Sequence, residues 1–123
     1  MSRIILVCDN EDVLRALVRA SLDGNGYVVA EARDGDEALT LARTVRPDLI
    51  LLDVMMPGRS GFEVLAELRA DPELAETPVV MLTARTQAAD RDAAMSAGAD
   101  RFLPKPFSPL QLAALVEDVL AEP

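Results

Sequence analysis

Five short apolar runs punctuate the chain: IILVC at 4–8, YVVAE at 27–31, LILL at 49–52, PVVML at 78–82 and RFL at 101–103. They are aliphatic or β-branched and too short for helices, as expected of parallel strands covered on both faces. Between them the apolar spacing turns helical. Residues 12–23 place Val13, Leu14, Leu17, Val18 and Leu22 on one face, and Gly24 and Gly26 stop the helix. "DGDEALTLARTV" offers Asp34 as a cap with Glu37 three residues on, and "SGFEVLAELRA" repeats the spacing with Ser60 and Glu63. "SPLQLAALVEDVL" does so again with Ser108 and Gln111, and has Pro109 at the first helical position. Residues 87–97 are Ala-rich with Met95 as their one large apolar group, so that helix should pack lightly. Strand and helix alternate five times. Such alternation predicts an α/β fold of right-handed βαβ units, a parallel sheet with helices on both faces.

In open sheets of this kind a ligand sits beyond the carboxyl ends of the strands. There the first strand delivers Asp9 and Asn10, the third Asp53 and the fourth Thr83, with Lys105 just past the fifth. The second delivers Glu31 and Ala32, as befits an outer strand. Each residue alone has an ordinary explanation: an Asp after a strand caps or turns, and Thr is a β-former. Met55 and Met56 read as packing residues, and Cys8 as a small buried hydrophobe. Together, two acids, an amide, a hydroxyl and an ammonium converge on one rim.

Composition narrows what that rim can do. At 123 residues the chain is expected to be one domain, 1–123. A formal charge of −9 argues against binding nucleic acid through phosphates. Apolar runs of about five residues fall far short of the ~18 of a membrane span. A lone cysteine and the lack of a secretory leader make a reducing cytoplasm the expectation. Histidine is absent, which removes Ser-His and Cys-His catalysis and the commonest zinc ligands. What remains suits a phosphoryl group carried on a carboxylate. Asp53 would be the nucleophile, with Mg²⁺ bridging acidic and phosphoryl oxygens. Thr83 would donate a hydrogen bond to the transferred group, and Lys105 would neutralise another oxygen. With no histidine of its own, the chain needs a donor from outside.

The stretches "RIILVCDNED", "GYVVAEARDGDEAL", "PDLILLDVMMPGRSGFEVLAELR", "PVVMLTA" and "GADRFLPKPF" resemble, nearly end to end, a bacterial response-regulator receiver domain. That resemblance implies a flavodoxin-like strand order 2-1-3-4-5 and a phosphoacceptor switch rather than an enzyme. It implies Asp53 as phosphorylation site, Asp9, Asn10, Asp53 and the Met55 carbonyl as the Mg²⁺ set, and Thr83 and Lys105 as phosphoryl holders. Ala84 would keep the approach open, the Lys105–Pro106 bond would be cis, and Phe102 would be the switch aromatic that follows Thr83. The partners implied are a sensor histidine kinase or histidine phosphotransfer protein, and a downstream effector that reads the face of the last two strand-flanking helices.

Two departures qualify the resemblance. Receivers carry two adjacent acids after the first strand, whereas the pair here is Asp9-Asn10. Sliding the register to make Cys8-Asp9 the pair would break the family spacing of Leu14 to Leu22 and flip the strand's faces. The neutral Asn10 should weaken Mg²⁺ binding by about 10–100-fold, roughly 1.4–2.8 kcal/mol. After Lys105 there is no Lys or Arg, so the charged dimer interface typical of winged-helix regulators is missing in its usual form. A homodimer through Leu110, Ala113 or Ala114 stays open. Two other readings compete with the switch. A phosphohydrolase of the haloacid dehalogenase type would want an acid two residues after Asp53, where Met55 stands. A docking module that no longer takes phosphate would explain Asn10.

Overall fold

In a computed structural model, which describes residues 2–83 and 88–121, the five apolar runs are the strands of one sheet. They are β1 (Arg3–Cys8), β2 (Tyr27–Ala32), β3 (Leu49–Asp53), β4 (Val79–Thr83) and β5 (Arg101–Pro104). All neighbours pair in parallel, in the order β2-β1-β3-β4-β5. The helices between them are α1 (Asp12–Leu22), α2 (Gly35–Val45), α3 (Gly61–Ala70), α4 (Ala88–Ser96) and α5 (Pro109–Ala121). No helix among the described residues is long and apolar enough to cross a membrane.

The lack of alternation in the central strands has a direct cause. Every residue of β3 and β4 is buried, so both faces demand apolar side chains. Leu6, Cys8, Ile50, Leu52 and Met81 face one core with Leu39 of α2 and Val64, Leu65 and Leu68 of α3. Ile5, Val7, Leu49, Leu51, Val80 and Leu82 face the other, with Val18 and Leu22 of α1 and Leu112, Val116 and Val119 of α5. Thus α1 and α5 cover one face, and α2 to α4 the other.

The three predicted caps form. Asp34 accepts the Glu37 N–H at 2.9 Å. Ser60 and Glu63 make a reciprocal box at 3.2 and 3.3 Å, as do Ser108 and Gln111 at 3.1 and 2.8 Å. The Lys105–Pro106 peptide is cis. Gly24 and Gly26 both sit at positive φ in the α1–β2 turn, a conformation open to glycine at little cost.

Two packing expectations fail. Val13 is 81% exposed, not on the buried face of α1. It precedes Val18 by five residues, about 140° around a 3.6-residue helix, and the face that packs holds Arg15, Val18 and Leu22 with Leu14 and Leu17 half-buried beside them, as expected. Met55 is 71% exposed in the loop after β3, while Met56 is buried as expected.

Candidate functional site at the carboxyl rim

Parallel pairing in this order sets the ends of β1, β3 and β4 side by side, with β5 beyond. Asp53 ends β3 opposite Leu82, and Thr83 follows on β4 opposite Pro104. Asp9, Asp53 and Thr83 are buried. Lys105 reaches across the rim: its Nζ donates to Asp9 Oδ2 at 2.8 Å and lies 3.4 Å from Asp53 Oδ1. Glu11 Oε1 is 3.9 Å from the same ammonium. The lysine is anchored at its backbone as well, its N–H donating to the Thr83 carbonyl at 2.6 Å.

Each acid is oriented by the chain that follows it. Asp53 Oδ1 accepts the Met55 N–H at 3.2 Å, and Asp9 Oδ1 accepts the Glu11 N–H at 2.8 Å. Asp53 is also hemmed in from behind. A Cβ on Gly61, the first residue of α3, would lie 2.2 Å from the Asp53 carbonyl oxygen, so α3 can start this close only with glycine.

Burial pushes the Asp53 carboxyl above its ordinary range, and the Asp9 charge adds to this; Lys105 and the Met55 N–H pull it partly back. For Lys105, burial alone would lower the ammonium. The hydrogen bond to Asp9 and the charges of Asp53 and Asp9 outweigh it and hold the lysine above its usual value. The rim therefore keeps a fixed cation beside a carboxylate whose negative charge is poorly solvated, the electrostatic setting a nucleophilic oxygen needs near an anionic phosphoryl group. Cys8, one residue before Asp9, is held far from thiolate, chiefly by burial and then by Asp9 and Glu37.

Residues 5–117 match the response regulator receiver domain family. The chain belongs to this family. Response regulator MprA of Mycolicibacterium vanbaalenii is 45% identical over 116 residues, which are 94% of this chain and 49% of that protein. The alkaline phosphatase synthesis regulator PhoP of Bacillus subtilis is 42% identical over 120 residues, 98% of this chain and 49% of its own length. The receiver thus spans about half the length of the curated relatives it matches. Among solved structures, chemotaxis response regulator CheY4 of Vibrio cholerae superposes with a TM-score of 0.92 at 34% identity, over 97% of this chain and 99% of that one. The receiver domain of a Pseudomonas aeruginosa sensor histidine kinase does so at 0.90 and 29% identity, over 99% and 100%. That structure carries a magnesium ion coordinated in its active-site cleft.

The receiver's own donors suit a hard cation that keeps water. Among the described residues no three acids, thiols or imidazoles cluster tightly enough to form an all-protein metal cage. Two buried carboxylates, Asp9 and Asp53, do share one ammonium, and each offers oxygen to a hard cation. The Asn10 amide and the Met55 carbonyl are the further oxygens that the adjoining loops offer. Asn10 is exposed at the mouth of the rim.

Phe102 of β5 pairs with Met81 of β4 and packs half-buried against the core on the α2–α4 side. Ala84 lies outside the described residues. One buried charge escaped the sequence reading. Arg15 is only 6% exposed, and its Nη1 donates to the Asp9 carbonyl at 2.6 Å. The signal was available: arginine falls three and seven residues before Val18 and Leu22, on the buried stripe of α1.

Proposed function

We propose that this receiver is a phosphorylation switch, with Asp53 as the phosphoacceptor. The observation that carries the reading is the ammonium of Lys105, bound to Asp9 at 2.8 Å and standing 3.4 Å from Asp53. In the transfer step a carboxylate oxygen of Asp53 attacks phosphorus and forms an O–P bond. The P–N bond to a donor imidazole, or the P–O bond to acetate in acetyl phosphate, breaks as the leaving group departs with its electron pair. Lys105 neutralises one phosphoryl oxygen, and the Thr83 hydroxyl donates to another. Asp9, Asn10, Asp53 and the Met55 carbonyl would hold Mg²⁺, which when bound supplies further charge neutralisation between acidic and phosphoryl oxygens.

The donor is a sensor histidine kinase or a histidine phosphotransfer protein, since the chain has no histidine to serve as its own. Phosphorylation adds about −1.5 to −2 charges at the rim. Thr83 is drawn toward the new group, Phe102 follows, and an effector reads the changed surface of α4, β5 and α5. Leu110 is 82% exposed on α5, which supports self-association through that helix as one form of output.

Incubation with acetyl phosphate and Mg²⁺ followed by intact mass tests the proposal. A single phosphoryl adduct, lost in Asp53→Ala, is expected. No adduct even at high Mg²⁺ would overturn the switch and favour a docking module whose exposed, neutral Asn10 no longer supports metal. Steady turnover of unrelated phosphoesters would point instead to a hydrolase.

A further inference from the structure

Four polar or charged residues are buried among those described: Asp9, Asp53, Thr83 and Arg15. Three belong to the site above, and the fourth touches it. The Arg15 guanidinium bonds on three sides: Nη1 to the Asp9 carbonyl at 2.6 Å, Nε to Glu31 at 3.1 Å, and Nη2 to Asp12. Arg19 closes the far side by pairing with the same Glu31. Its acidic partners reach solvent, Asp12 exposed and Glu31 half-buried, so the contact that the buried guanidinium makes inward is the one to the Asp9 carbonyl.

Asp9 shows what the arginine does. Its N–H donates to the Ala32 carbonyl at 3.0 Å, and its two carboxylate oxygens take the Glu11 N–H and the Lys105 ammonium. Arg15 takes the one group left, the carbonyl. That carbonyl belongs to the peptide that leads into Asn10, so the bond fixes the plane from which Asn10 departs. We propose that Arg15 is a positioning residue for the phosphoryl pocket, locking the Asp9–Asn10 turn so that the neutral Asn10 amide presents its oxygen to an incoming cation.

The inference rests on the proposed function and gives Arg15 more weight in this chain than it would have beside two acids. A carboxylate attracts a divalent ion by charge, an attraction that falls slowly with distance and tolerates misalignment. An amide attracts only through its dipole, which fades faster and demands the right angle. A chain with Asn10 therefore depends on its turn being held, and a chain with an acid there depends on it less.

Calorimetric titration with Mg²⁺ alone, on wild type, Arg15→Met, Asn10→Asp and the double variant, tests this. Arg15→Met should weaken Mg²⁺ about tenfold in the Asn10 chain, the low end for loss of a ligand-orienting partner, and about threefold or less in the Asn10→Asp chain. A purely structural role would cost both backgrounds the same factor. Equal losses, no loss, or no Mg²⁺ binding by wild type would each overturn the proposal. If circular dichroism shows Arg15→Met unfolded, Arg15→Lys, which keeps the charge but not the planar fork, takes its place in the same cycle. Failure of wild type to take a phosphoryl group would sink the switch alone, because the titration still decides Arg15.

Discussion

Two helices leave the carboxyl rim from neighbouring strands, and they are built in opposite ways. α3 follows Asp53. It opens on a full Ser60–Glu63 box, starts against the Asp53 backbone at Gly61, and buries Val64, Leu65 and Leu68. Arg59 ties its first turns to Asp36 and Glu67, and Arg69 ties its last turn to the carbonyls of Ala75, Thr77 and Gly98. α4 follows Thr83. Of its side chains described, Arg91–Ser96, only Ala94 is buried, and Met95 is 45% exposed. The element behind the proposed nucleophile is pinned at its start, its core face and its end, whereas the described side chains of the element behind the proposed switch hydroxyl bury one methyl, with the Arg69 contact to Gly98 just past its last turn. A barrier falls when the reacting oxygen stays put. A signal passes when something cheap to move is left beside it.

Substitutions can break this contrast, beginning with the most disruptive. Gly61→Ala puts a methyl against backbone on every near side and should cost about 3 kcal/mol, read as a lower urea midpoint at unchanged slope. Asp53→Asn should do the reverse at neutral pH. The folded state holds the Asp53 proton more tightly than the unfolded chain, so stability falls as pH rises from the ordinary carboxylate range through the raised folded value. The amide escapes that penalty, so its melting temperature should exceed that of wild type near pH 7 and the gap should close below the ordinary range. Ser60→Ala, which removes half of the capping box, should cost about 1 kcal/mol by the same denaturant assay. Met95→Ala on α4 should change stability by less than about 0.5 kcal/mol. A larger loss there would mean that α4 is anchored as firmly as α3, and the contrast would fall.

Much of the fold was legible because β3 and β4 are buried on both faces, which forces unbroken apolar runs that no other element of this length would carry. The caps at Asp34, Ser60 and Ser108 were legible because one residue type three positions before another does a local job. Asp9, Asp53 and Lys105 could be placed together because parallel strands deliver their ends to one rim. Val13 was misplaced and Arg15 overlooked for a single reason. Counting only apolar residues on α1 favours a face through Val13 and passes over a charged residue whose spacing sets it on the buried stripe, where Arg15 reaches the Asp9 carbonyl. Met55 failed differently: a loop methionine has no periodicity to read.

The first strand and the last helix meet on the side away from the rim, where Arg3 Nη1 donates to the Leu120 carbonyl at 2.8 Å. Arg3 and Ala121 can therefore be joined by a short flexible tether and the chain opened at the exposed Pro72–Glu73 turn, which lies between α3 and β4 and belongs to no strand or helix. Such a circular permutant would run its strands in a new chain order and leave every residue of the acidic rim in place.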